Sequence, residues 1–160
     1  MYWISYLHIT SLVLLYICFY YSNVNILDGA LSEFSLNEDI KIVWTAFLWL
    51  QSISMFTITM CKIRSLSGYA CGIISSLSLL YISFFGLGEG QHNAVAVLFF
   101  VSCLSLVFLS SPKIAKGMLL TSLLVLALDN GYALFETVFC LMTMAFSLQE
   151  HYKNTHTAYH

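Results

Sequence analysis

Six apolar runs, each closed by polar or turn-forming residues, divide this chain from end to end. They are Trp3–Tyr21, Ile42–Cys61, Leu66–Phe85, Asn93–Leu109, Ile114–Leu128 and Tyr132–Leu148. A helix that crosses a bilayer needs about 20 predominantly apolar residues, with a range near 17–25. The first three runs meet that length, and the fourth does if it continues into Ser110–Ser111. The last two are short and meet across Asp129–Asn130–Gly131, a turn tripeptide, so they predict a tight helical hairpin or a re-entrant pair. Pro112, the only proline, stands where a helix would start and its missing N–H costs little. The expected fold is therefore all-α, a polytopic six-transmembrane-helix bundle spanning residues 1–150 and followed by a short polar tail, 151–160.

Composition agrees with that pattern. Hydrophobic residues make up 59% of the 160 positions and charged residues 9%, against about 25% charged in an ordinary soluble domain. A water-facing surface of normal polarity cannot be built from so few charges. The net charge of −2 and the lack of a basic stripe argue against a nucleic-acid partner. With a cytoplasmic N-terminus, Lys62, Arg64, Lys113, Lys116 and Lys153 all fall inside and only Lys41 outside, as the positive-inside rule requires. Asp28, Glu33, Glu38, Asp39, Glu89, Asp129 and Glu136 then lie at or near the outer face. Both termini are expected in the cytoplasm, and the protein in a plasma or bacterial inner membrane. The first run has no basic n-region and no small-x-small cleavage site, so it is expected to stay as the first helix.

Cys18, Cys61, Cys71, Cys103 and Cys140 each sit in an apolar run without a C-x-x-C pair, which predicts reduced, inert thiols rather than disulfides or a zinc site. His8 stands alone near the cytoplasmic edge, with no second ligand at matching depth, and His151, His156 and His160 are expected to be solvated in the tail. Gln51, Ser54, Ser75, Ser76, Ser78 and Ser83, with Gly68 and Gly72 spaced small-xxx-small, read as helix-packing positions. No cofactor or metal is expected.

The candidate chemistry gathers at the outer end. Glu89 and His92 are three residues apart and share a face if the fourth helix begins early; otherwise this is a loop in which Glu89 offsets a helix dipole and Asn93 caps it. Glu136 falls roughly 7 Å inside the last helix, where a carboxylate needs an inward face, a proton or a partner. The candidate polar site is Glu89, His92, Asn93, Asp129 and Glu136, with His92 expected to approach Glu136 directly or through one water, and with Gln91 and Asn130 as further partners. Its alternative is that each side chain bonds separately to backbone or loop.

Two segments also resemble a known family. Gln91–Ser111 reads QHNAVAVLFFVSCLSLVFLSS; Leu134–Tyr152 reads LFETVFCLMTMAFSLQEHY. The first resembles the fourth-helix signature of the damage-regulated autophagy modulator/Sfk superfamily, through His92, Asn93, Ala94, Ala96, Phe99, Phe100 and Ser102. The second is similar to that superfamily's last helix, with Glu136 in the place of its outer glutamate. The superfamily includes post-GPI-attachment lipid-remodelling proteins and small bacterial members of unknown function. Together the two segments cover about a quarter of the chain, and Thr137 stands where an aromatic residue, usually Trp, often follows the glutamate. The resemblance implies six helices, inside termini and membrane lipids as partners, with a role in lipid handling or remodelling. Two other readings stand beside it: an accessory subunit of a larger membrane assembly, and a small membrane enzyme or transporter that uses the outer His, Glu and Asp group.

Overall fold

A computed structural model of the chain describes residues 3–22, 30–85, 90–128 and 133–156. Six α-helices correspond to the six apolar runs: α1 Trp3–Tyr21, α2 Lys41–Lys62, α3 Leu66–Ile82, α4 Gly90–Ser110, α5 Pro112–Leu128 and α6 Ala133–His156. Among the described residues there is no strand. α1, α2 and α4 are each long and apolar enough to cross a membrane, and α3 is a shorter apolar helix. Helix starts follow local chemistry. Ser65 caps α3 by accepting the Gly68 N–H at 3.2 Å, and Pro112 opens α5, where its missing N–H is harmless.

Each helix packs on its sequence neighbour, and α6 returns to touch α1 and α2, closing the bundle. The α2–α3 seam shows its antiparallel register through paired contacts. The Trp49 indole N–H donates to Ser83 Oγ at 2.8 Å, the Ser52 hydroxyl to the Ser76 carbonyl at 2.8 Å, and Gly72 lies against Thr59. Ser75 and Ser102 join α3 to α4 at 2.9 Å. Small and hydroxyl residues therefore sit at the crossings, as their spacing predicts, because they let backbones approach and carry short interhelical bonds. α4 and α6 face each other through Phe99, Phe100, Phe135 and Phe139, with the Phe100–Phe139 rings 4.9 Å apart and edge to face.

Two features depart from the sequence reading. α6 continues through His156, well past the end of its apolar run. His151 is consequently not a solvated tail residue: it is 3% exposed. Polar residues end an apolar run without ending a helix, since backbone bonding continues wherever the side chains can pack. The α1–α2 connection also contains a 3₁₀ helix, Leu31–Leu36, whose Leu31, Ser32 and Phe34 are buried. Phe34 wedges edge-on between Phe19 of α1 and Trp44 of α2, at centroid distances of 5.1 and 5.3 Å. That aromatic wedge holds the Leu31–Leu36 turn, which carries Glu33, against the bundle.

Candidate functional site

His92 is the third residue of α4 and is buried, and its ring Nδ1 lies 3.0 Å from the Phe85 carbonyl. A carbonyl only accepts, so Nδ1 carries a proton and donates, which leaves Nε2 turned away from that bond. Glu136 is in the first turn of α6, at the positive end of that helix's dipole. One of its carboxyl oxygens accepts the Leu31 N–H at 2.6 Å, with the Ser32 N–H beside it. Glu136 thus holds the start of the 3₁₀ helix, and Glu33 supports the same turn by accepting the Ala30 N–H at 3.1 Å. A buried N–H must find an acceptor, and α6 supplies one from 105 residues away in sequence.

His92 and Glu136 line one cavity of about 50 Å³, together with Ser32, Trp44, Phe100 and Cys140. At about 10–15 Å³ of such volume per water, it has room for roughly three to five. Its walls are mostly apolar, with the imidazole, the carboxyl and the Ser32 hydroxyl as its polar groups. An imidazole and a carboxyl facing one small space with mostly apolar walls can orient a polar group or exchange a proton with it.

Of the expected approach of His92 to Glu136, directly or through one water, the direct hydrogen bond is not made. Among the described residues the one ion pair is Lys41–Glu38, at 3.6 Å. Each site residue satisfies itself on backbone, His92 on the end of α3 and Glu136 on the 3₁₀ helix, and what they share is the cavity. Asn93 is neither a cap nor a wall: it lies at the fourth position of α4 and is exposed. Gln91 is also exposed and accepts the Tyr81 hydroxyl instead of reaching Glu136. Glu89, Asp129 and Asn130 lie outside the described residues. Leu31 and Ser32 are the additions that sequence reasoning missed. Their one signal was the Leu31/Phe34 spacing, three residues apart in an otherwise polar loop.

A second polar group occupies the other end of the bundle. His8 is not solitary: its Nε2 lies 3.1 Å from Ser54 Oγ, and Ser54 Oγ lies 3.3 Å from Ser147 Oγ. His151 stands within electrostatic reach of the same imidazole. Among the described residues, no group of three or more His, Cys, Asp or Glu is placed to hold a metal ion. The five cysteines are free: Cys18 and Cys103 are buried, Cys71 and Cys140 partly so, and Cys61 is exposed. No family model, curated protein or solved structure matches the chain.

Proposed function

We propose that this chain is a six-span membrane protein with both termini in the cytoplasm, and that its His92/Glu136 cavity engages a lipid headgroup from the outer leaflet. The observation that carries this reading is the convergence of a buried imidazole and a carboxyl on one cavity at the acidic end of the bundle. Ionisable groups inside a membrane bundle are costly and mark functional sites by default. A cavity of about 50 Å³ admits a few waters and no headgroup, so entry requires the Leu31–Leu36 segment to lift. Glu136 is then both the latch of that segment and a wall of what lies beneath it.

Three further features support a lipid environment and a lipid ligand. The bundle's outer surface is apolar on every helix, with Ile42 80%, Leu66 85% and Leu120 71% exposed. The α2–α3 and α4–α5 junctions gather Lys62, Arg64, Lys113 and Lys116 at one end, and the carboxylates Glu33, Glu38 and Asp39 stand at the other. A groove of about 450 Å³ between α4 and α5, walled by Leu104, Phe108, Ala115 and Leu119, ends at Lys116. It continues into a hollow of about 210 Å³ that shares Leu104 and Leu119. An apolar trough of this kind suits an acyl chain, while Lys116 stands at the cytoplasmic end, away from the headgroup cavity. The likeness to the damage-regulated autophagy modulator/Sfk superfamily points the same way.

A photoactivatable phospholipid tests this reading. Cross-linking in membranes is expected on the peptides around His92 and Glu136, and to fall several-fold in His92→Ala and Glu136→Gln at unchanged protein levels. Labelling confined to outward-facing residues such as Tyr16 and Leu120, and indifferent to both substitutions, would leave the accessory-subunit reading in its place.

A further inference from the structure

One face of α6 carries a polar file along most of its length. Glu136, Cys140, Thr143, Ser147 and His151 recur at steps of four, three, four and four residues, the spacing that keeps side chains on one side of a helix. Across from that face stand Gln51 and Ser54 of α2 and His8 of α1. The links between helices are short: Thr143 Oγ1 to Cys103 Sγ at 3.5 Å, Ser147 to Ser54 at 3.3 Å, and Ser54 to His8 at 3.1 Å. Between Gln51, Cys140 and Thr143 lies a void of about 10 Å³, close to the space of one water. Cys140 lines both this void and the His92/Glu136 cavity.

The hydrogen-bond pattern shows what that space is for. Four buried polar side-chain atoms lack a partner among the described residues: His8 Nδ1, Gln51 Nε2, His151 Nδ1 and Ser122 Oγ. Three of the four lie on this file or directly across from it, on residues only 3%, 7% and 3% exposed. Buried polar atoms are normally bonded to protein or to ordered water. Three orphans on one axis, with a water-sized void beside Gln51, the outermost of them, mark the axis as a place for water. Imidazole, carboxyl and hydroxyl groups joined by water are the components of an intramembrane proton relay.

We propose that the bundle carries protons between its two ends along this file. A proton from the acidic end binds the Glu136 carboxylate and passes to water in the adjoining cavity and void. Each hydroxyl of Ser147 and Ser54 accepts one proton on its oxygen and releases its own. His8 takes a proton on Nε2 from Ser54 and gives one up from Nδ1 towards His151, whose end of the helix returns it to water. No covalent bond between heavy atoms changes, and one positive charge crosses per proton. The titratable side chains along or beside the path are Glu33, Glu136, His92, Cys140, Cys103, His8, Glu150 and His151. Among the described residues no Lys or Arg is buried to block it by repulsion.

The test uses full-length protein in phosphatidylcholine/phosphatidylglycerol vesicles that hold potassium and a pH-sensitive dye. An outward potassium gradient with valinomycin supplies the compensating charge and drives protons in. Internal acidification is expected to be several-fold faster than in protein-free vesicles. Ser54→Ala and Gln51→Leu should bring it back towards the protein-free rate, and Tyr16→Phe on the exposed face should leave it unchanged. If Gln51→Leu lowers the yield of monodisperse protein, Ser54→Ala, which removes one oxygen in place, decides alone. Acidification no faster than in protein-free vesicles overturns the proposal, and so does fast acidification that persists in Ser54→Ala.

Discussion

Glu136→Ala is expected to loosen the connection between α1 and α2 and open it to protease. The carboxyl is what the Leu31 N–H meets at 2.6 Å, and Leu31 is buried, so the substitution removes the protein acceptor of a buried donor. Leaving a buried donor unpaired costs about 1–3 kcal/mol. At tenfold per about 1.4 kcal/mol, that raises the open population of the segment roughly 5- to 150-fold. Cleavage follows the open population when opening and closing are fast relative to cutting. Limited proteolysis within residues 22–41 should therefore accelerate by a factor in that range. Glu136→Gln keeps an acceptor oxygen in place and should stay much closer to the parent. Phe34 remains wedged between Phe19 and Trp44 in both variants, so the expected outcome is a looser segment in a bundle that still folds. Equal cleavage of Glu136→Ala and the parent protein would mean that the aromatic wedge alone holds the segment.

Gly72→Ala is expected to be the most damaging single-methyl change on the α2–α3 seam. A Cβ built there overlaps Thr59 Oγ1 and would lie 2.6 Å from Thr59 Cγ2 and 2.9 Å from Thr59 Cβ. Thr59 cannot swing aside freely, since it is fully buried and its hydroxyl donates to the Met55 carbonyl at 2.8 Å. Overpacking of this kind typically costs about 1–3 kcal/mol. Thr59→Ala removes the two tightest contacts but leaves the one at 2.9 Å, so the double substitution should recover only part of the loss. Contacting residues couple by about 0.5–3 kcal/mol, so the cycle of single and double variants should show it in thermal stability in detergent. A Gly72→Ala protein as stable as its parent would mean that the two helices do not cross this closely.

The helices were legible because apolar runs of membrane-spanning length, broken by turns, leave few other folds open. α1 coincides with its run from Trp3 to Tyr21, and Pro112 opens α5 as its chemistry predicts. The end of α6 was misread because polarity marks where an environment changes, whereas a helix ends only where its backbone bonding does. His92 and Glu136 were legible as ionisable residues at the edge of apolar runs. Their partners were not, because a backbone N–H of a distant loop carries no mark in the sequence. For the same reason His8 looked solitary: its neighbours come from α2 and α6, and their register is set only when three helices pack. The buried 3₁₀ helix was hidden by its surroundings, since its two buried apolar residues, Leu31 and Phe34, stand in a connection rich in polar residues.

The proposed headgroup site and the proton path both rest on the chain crossing the membrane six times, with the Glu136 end outside. A reporter that is active only outside the cytoplasm, fused after Lys153, tests this most directly. Six crossings leave that reporter silent, and the same fusion made with a reporter active only inside gives full signal. External activity of the fusion after Lys153 would mean an odd number of crossings from a cytoplasmic N-terminus, or the opposite orientation of all six. In the first case α5 and α6 would not both span; in either, Glu136 would lose its place at the outer face, and the account would fail.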